Sequence, residues 1–256
     1  MSNASPALDG LTALHGLTVV VAGAAGASGV ACATLLSRHG ATVVAVGSHA
    51  GRLEQALGHL DDVDRRVCDL ADAQAVTELC QALSADYESL DGLIHLVGGW
   101  RGGKGIAGQT DDDYELLHTS VLTTLRNTTR AFYPALLASS RGRVAIVSST
   151  AVDSPTAAVA SYAALKSAAE AWTRAVADGF RRDQEPAGDS TTESAGQTSA
   201  ATILVVKALV DDALRDAHPE RRFPGYTHVD DLAAAVVGLY AAEAPSVNGQ
   251  RIILPG

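Results

Sequence analysis

Short apolar runs recur along the chain, and most are followed by a stretch whose apolar positions return at helical spacing. Leu17–Ala22 is the first run and reads as a buried strand, with Val30–Arg38 as the helix after it. The alternation continues with a strand at Ala41–Val46, a helix at Gly51–Leu60 and a short strand at Arg65–Cys68. Asp72 then caps a helix to about Leu83, and Leu93–Val97 forms a fourth strand. A long helix runs from Asp111 to about Leu137, followed by a strand at Arg143–Ser148 and a helix to about Phe180 that contains Tyr162 and Lys166. Thr202–Val206 is a sixth strand, His228–Asp231 open a helix to about Ala242, and Arg251–Leu254 is the last strand. Strands apolar throughout need cover on both faces, and strand–helix repetition supplies it through right-handed crossovers. The pattern predicts an α/β fold: one doubly wound, mostly parallel seven-stranded sheet with helices on both faces, in a single domain over residues 1–256. Residues 1–16 read as a loose terminal segment, and residues 183–200, rich in Ser, Thr, Gly and Asp, as a flexible surface insertion.

Composition narrows the chemistry. Aromatic residues make up only 4% of the chain against 47% hydrophobic, so the core is built from Ala, Val, Leu and Ile. A formal charge of −10 argues against a nucleic-acid partner, which calls for a basic face. Cys32, Cys68 and Cys80 have no metal-ligand spacing and read as reduced core thiols. Neither a leader nor an apolar run of membrane-spanning length is evident, which leads us to expect a cytoplasmic protein with no membrane partner.

Three stretches carry candidate chemistry. Gly23-Ala24-Ala25-Gly26-Ala27-Ser28-Gly29 joins the first strand to the first helix, where a tight turn and a helix N-terminus can cradle a pyrophosphate. Gly98 to Gly105 is glycine-rich and reads as a loop that is mobile or passes close to a ligand; its Trp100, Arg101 and Lys104 are solvated or meet a substrate. Tyr162 and Lys166 are four apart on a helix, so both project from one face. A lysine ammonium favours the phenolate and brings a tyrosine hydroxyl nearer to useful acid–base range. Ser149 follows the fifth strand, at the sheet edge where such folds bind ligands. Asp111–Asp113 is better explained by helix capping and dipole compensation than by a metal site, and no metal is expected.

Taken in order, these features resemble the short-chain dehydrogenase/reductase family over nearly the whole chain. The matching residues are Gly23, Gly26 and Gly29, then Asp69-Leu70, then the strand Val144–Ser149, then Tyr162-x-x-x-Lys166 thirteen residues after Ser149, and finally Asn248-Gly249-Gln250. The resemblance implies a Rossmann fold and NAD(P)-dependent interconversion of a carbonyl and an alcohol. Tyr162 is then the general acid–base, Ser149 holds the reacting oxygen, and Lys166 lowers the Tyr162 pKa and binds the nicotinamide ribose. Gly23, Gly26, Ala27, Ser28 and Gly29 would hold the cofactor phosphates, Asp69 and Leu70 lie where the family contacts the adenine, and Val97, Gly98 and Gly99 would also bind the cofactor. At the end of the second strand Ser48, His49 and Arg52 stand where NAD enzymes have a carboxylate, which leans towards NADP over NAD. The family also implies a homotetramer or homodimer, assembled through the helices at 111–137 and 155–180.

The chain also departs from the family pattern. Ala27 stands where glycine is usual, His95-Leu96-Val97-Gly98 replaces an Asn-Asn-Ala-Gly motif, and Lys207-Ala208 replaces Pro-Gly. Val121 aligns with the helix Asn that holds a proton-relay water, and His118, one turn earlier, is a possible substitute. These departures support an alternative, a catalytically weak or inactive relative that binds dinucleotide as a sensor or partner-binding protein. The intact Ser149, Tyr162 and Lys166 support the enzyme, with slow turnover.

Overall fold

The computed structural model describes residues 14–103, 105–185 and 196–256. β1 (Thr18–Ala22) is buried along its whole length, as its Val-rich sequence requires. It leads through a glycine turn into α1 (Ala27–Arg38), and β2 (Thr42–Gly47) lies parallel to it with Thr42 opposite Thr18. α2 (Ala50–Leu57), β3 (Val63–Val67), α3 (Ala73–Asp86) and β4 (Gly92–His95) follow. α4 (Asp111–Leu117) and α5 (Thr124–Ala138) are joined by a π-helical turn, His118–Thr123. β5 (Arg143–Ser149) precedes α6 (Ala160–Asp183) and β6 (Ala200–Val206). Next come β7 (Leu209–Val210), α7 (Asp212–Ala217) and β8 (Thr227–His228). α8 (Val229–Gly238), α9 (Ala244–Val247) and β9 (Arg251–Ile253) complete the order.

Seven strands form one sheet in the order β3-β2-β1-β4-β5-β6-β9, and every pairing is parallel. From β1 the chain steps out to β2 and β3; from β4 it steps the other way. That reversal opens a crevice beyond the C-terminal ends of β1 and β4. Cys32, Leu36, Leu53, Leu232 and Val236 bring α1, α2 and α8 onto one face of the sheet. Val76, Leu83, Phe132 and Phe180 bring α3, α5 and α6 onto the other, where Phe180 stacks on Tyr133 with ring centroids 4.9 Å apart.

Several boundaries differ from the sequence pattern. The sheet is wholly rather than mostly parallel. α1 starts at Ala27 and not Val30, because Ala27–Gly29 carry no apolar period yet suit the first helical turn. β3 starts at Val63 and stops before Cys68, and β4 stops at His95. The helix expected over 111–137 is interrupted by the π turn. Ser149 is the last residue of β5 and does not lie beyond it. β6 begins at Ala200, where pairing with Arg143 overrides the weak strand propensity of alanine. α8 ends at Gly238, and the two-residue strands β7 and β8 are too short to leave a pattern.

Both segments read as loose are anchored where they are described. Leu14 is fully buried, and its amide donates to the His39 carbonyl at 2.8 Å. Gln184 Oε1 accepts from the Thr198 and Ser199 amides at 3.1 and 3.0 Å, and Ser199 is buried. Residues 1–13 and 186–195 lie outside the described residues. No helix among the described residues is long and apolar enough to cross a membrane.

Candidate active site

The turn after β1 is built around two obligatory glycines. Gly23 has φ +84°, and a Cβ there would stand 3.0 Å from the Leu96 carbonyl carbon and the Val97 nitrogen. A Cβ on Gly29 would stand 2.5 Å from Ala24 Cα and the Gly23 carbonyl oxygen. Gly26 is the extended residue before α1, and no side chain caps the helix there. The first amides of α1 thus have no side-chain cap, an arrangement able to accept an anion. Ala27, a departure by sequence, is the first helical residue of α1 and sits where a β-carbon is ordinary.

Ser28 of that helix shares a cleft of about 260 Å³ with Val97, Gly98, Gly99, Tyr162 and Lys166. Trp100 stands at its rim, 62% exposed. Arg101 turns away to Asp113 at 3.4 Å, and Lys104 lies outside the described residues. The loop is docked on the start of α6: Gly103 N donates to the Ala158 carbonyl at 2.7 Å, and Gln109 Oε1 accepts from Ser161 N at 3.2 Å. Gln109 was not visible as a site residue in the sequence, because a lone glutamine in a loop carries no periodic signal.

Tyr162 lies in the first turn of α6 and Lys166 in the next, with Lys166 Nζ 5.9 Å from the centre of the Tyr162 ring. Lys166 is buried and donates to the Val147 carbonyl at 2.7 Å. Burial pushes its pKa down to about 8, opposed by the Glu170 carboxylate. Burial also raises the Tyr162 pKa, and the Ser149 hydroxyl opposes that rise. Val147 and Ser148 line the cleft, while Ser149 is next along the strand and buried. Its Oγ accepts from the Ala151 amide at 3.2 Å, capping the 3₁₀ turn Thr150–Val152. The end of β5 and the start of α6 thus bring Ser149, Tyr162 and Lys166 together.

The departures take definite shapes. Val121, in the π turn, is 2% exposed and packs with Leu125, Ile146 and Leu165, beside the partly buried Tyr162. His118 does not replace the missing Asn: it is exposed and stacks on Tyr114 with centroids 6.0 Å apart. His95 is buried between the Thr124 and Thr128 hydroxyls, each 3.2 Å from a ring nitrogen. Burial, with a smaller push from the Lys166 charge, lowers its pKa to about 3, so a neutral imidazole bridges β4 and α5. Lys207 lines the cleft, and its Nζ donates to the Pro224 carbonyl at 2.9 Å.

Farther along the same sheet edge, Ser48, His49 and Arg52 are exposed at the end of β2 and the start of α2, with Ser48 Oγ 2.7 Å from His49 Nδ1. Asp69 is exposed after β3 and accepts from Ala71 N at 2.9 Å, while Leu70 is buried. Asn127 of α5, which the sequence did not single out, holds this turn by donating to the Leu70 and Ala71 carbonyls at 3.1 and 3.0 Å. Asp72 caps α3 as expected, accepting from Gln74 N and Ala75 N at 2.8 and 3.2 Å. Asp111–Asp113 occupy the first turn of α4, but the cap is Thr110, whose hydroxyl accepts from Asp113 N at 3.2 Å. Among the described residues no group of three or more His, Cys, Asp or Glu is placed to hold a metal.

The sequence model of the short chain dehydrogenase family matches residues 17–184, about two-thirds of the chain and all of the site residues named above except Lys207. The chain belongs to the short-chain dehydrogenase family. It is 26% identical over 165 residues to 2,3-dihydro-2,3-dihydroxybenzoate dehydrogenase of Bacillus subtilis (strain 168), covering 63% of each chain, so the match spans just under two-thirds of that relative. A 3-ketoacyl-(acyl-carrier-protein) reductase from Brucella melitensis, solved with NADH, superposes with a TM-score of 0.78 at 19% identity, over 95% of this chain and 98% of that one. A metagenomic short-chain oxidoreductase in complex with NADP gives 0.73 at 22% identity, over 96% and 100%. At these identities the two solved structures establish the shared fold of the family.

Proposed function

We propose that this short-chain dehydrogenase is an NAD(P)-dependent oxidoreductase that interconverts a carbonyl and an alcohol, with Tyr162 as the general acid–base. The observation that carries this is the meeting of Tyr162 and the buried Lys166 beside an uncapped helix N-terminus in one crevice, with the Ser149 hydroxyl next to Tyr162 at its wall. The Gly23–Gly29 cradle suits a dinucleotide phosphate, and the bound nicotinamide supplies or receives the hydride. Ser149 hydrogen-bonds the substrate oxygen, and Tyr162 Oη gives up or takes back the proton there. Lys166, held by the Val147 carbonyl, stabilises the phenolate that Tyr162 leaves behind. Ser48, His49 and Arg52, with no carboxylate beside them at the end of β2, favour the 2′-phosphate of NADP. A homodimer or homotetramer through α4, α5 and α6 belongs to the same proposal, supported by the exposed Tyr114 and Leu116.

Val121 favours a second reading, a dinucleotide-binding sensor with little catalysis, because an aliphatic side chain cannot hold a relay water. Oxidation of NADPH and NADH against a panel of ketones and aldehydes separates the two. The expected result is turnover, tighter binding of NADPH, and a loss of about 10²–10⁴-fold in Tyr162→Phe. Cofactor binding without turnover across the panel selects the sensor, and tighter NADH binding reverses the cofactor preference.

A further inference from the structure

The last strand reaches the acid–base site through one side chain. Arg251 opens β9, and its Nη2 lies 2.9 Å from the Asp153 carboxylate and 3.5 Å from the Ser149 carbonyl oxygen. Its Nε donates to the two Glu170 oxygens at 3.0 and 3.1 Å. Asp153 ends the short turn that Ser149 begins. Glu170 lies one helical turn beyond Lys166 on α6, is 1% exposed, and also accepts from Ser148 Oγ at 2.6 Å and Arg174 at 2.9 Å. Three separate elements therefore meet at one guanidinium: the turn bearing Ser149, the helix bearing Tyr162 and Lys166, and β9.

We propose that Arg251 is a positioning residue that clamps the Ser149 segment to the Tyr162–Lys166 helix and so sets the distance between the two reacting hydroxyls. The inference rests on the acid–base role of those residues given above. A planar fork with donors on two edges can serve two carboxylates at once in a fixed relative geometry, whereas an ammonium is a point charge that holds no such geometry. The buried Glu170 carboxylate holds the Nε edge of that fork, which ties the guanidinium to α6 independently of the turn. The turn itself is partly exposed, and Asp153 is its only side chain tied to Arg251. Loosening that tie frees the 150–153 turn that the Ser149 side chain caps, while the Ser149 backbone stays paired in β5 and Glu170 keeps Arg174, Ser148 and Arg251.

Asp153→Asn in the whole chain weakens that tie from an ion pair to a neutral hydrogen bond, and Arg251→Lys shortens the fork while keeping its charge. In both variants, amide exchange across residues 149–153 is expected to quicken about tenfold while residues 162–180 keep their protection. With a carbonyl compound that the wild type reduces, Asp153→Asn is expected to lower kcat about tenfold at unchanged cofactor affinity. In a Ser149→Ala background the same substitution is expected to cost nothing further. Unchanged exchange at 149–153, or equal losses in both backgrounds, overturns the clamp. A wild type that reduces no compound in the panel defeats the acid–base reading, while the exchange measurement still decides whether the clamp exists.

Discussion

Two cations are buried along β5, one near each end, and the fold treats them in opposite ways. Arg143 begins the strand at 3% exposure, and its guanidinium donates to the carbonyls of Leu239, Gly142, Thr198 and Ala242 at 2.7–2.9 Å. Leu239 and Ala242 follow α8, where the helix dipole is negative. Nearby Asp91 is equally well served, accepting from Thr18 N, Ser89 Oγ and Ser139 Oγ. Lys166, at the other end, donates one hydrogen bond among the described residues, to Val147. Burial lowers both pKa values, but a guanidinium stays charged while Lys166 falls to about 8. Four carbonyl partners make the Arg143 end a fastening; short supply of partners leaves the Lys166 end chemically available.

The largest test of that contrast is stability. Arg143→Met leaves several buried carbonyls without a donor and is expected to cost about 3–5 kcal/mol in denaturant unfolding. Lys166→Met is expected to be at least as stable as the wild type at pH 7, because it removes a buried charge, while turnover falls by about 10² or more. Equal destabilisation by both variants would erase the distinction.

The two ends also differ in pH response. Lys166 has a folded pKa below its unfolded value, so the unfolded chain binds more protons between about 8 and 10.5. Its cost to stability is full below pH 8 and lifts as pH rises through that window, by a few kcal/mol. Unfolding of wild type and Lys166→Met across pH 7–10 should therefore converge or cross at the alkaline end. His95 gives the acid counterpart. With a folded pKa of about 3 against 6.5, it contributes stability above pH 6.5 that fades as pH falls towards 3. His95→Gln is expected to flatten that limb.

The smallest expected effect is at Val121. Val121→Asn puts an amide among Leu125, Ile146 and Leu165, so about 1–3 kcal/mol of stability should be lost. If the missing relay limits turnover, kcat should rise severalfold; an unchanged kcat alongside an inactive Tyr162→Phe removes the relay from the account.

Much of the site was legible because its signals are local. Gly23 and Gly29 announce a turn with no room for a side chain, and the four-residue spacing of Tyr162 and Lys166 needs only a helix to align them. The contacts that hold the site are not local. Asn127 reaches the 70–71 turn from another helix, Gln109 joins a loop to α6, and Arg251 crosses from the final strand to Ser149 and Glu170. Single polar residues of this kind leave no period or motif, so only their partners reveal them.

By itself, the sequence determined the α/β alternation, the parallel sheet with two covered faces, the glycine turn after the first strand and the grouping of Ser149, Tyr162 and Lys166. Each follows from spacing along a strand or helix, which backbone geometry converts directly into a face or an edge. The tertiary structure alone decided the π turn at Val121, the neutral His95 between two threonines, and the end of β5 that leaves its cation short of partners. Burial and hydrogen-bond supply belong to neighbours brought together from distant parts of the chain, and those neighbours decide whether a buried charge fastens the fold or remains available for chemistry.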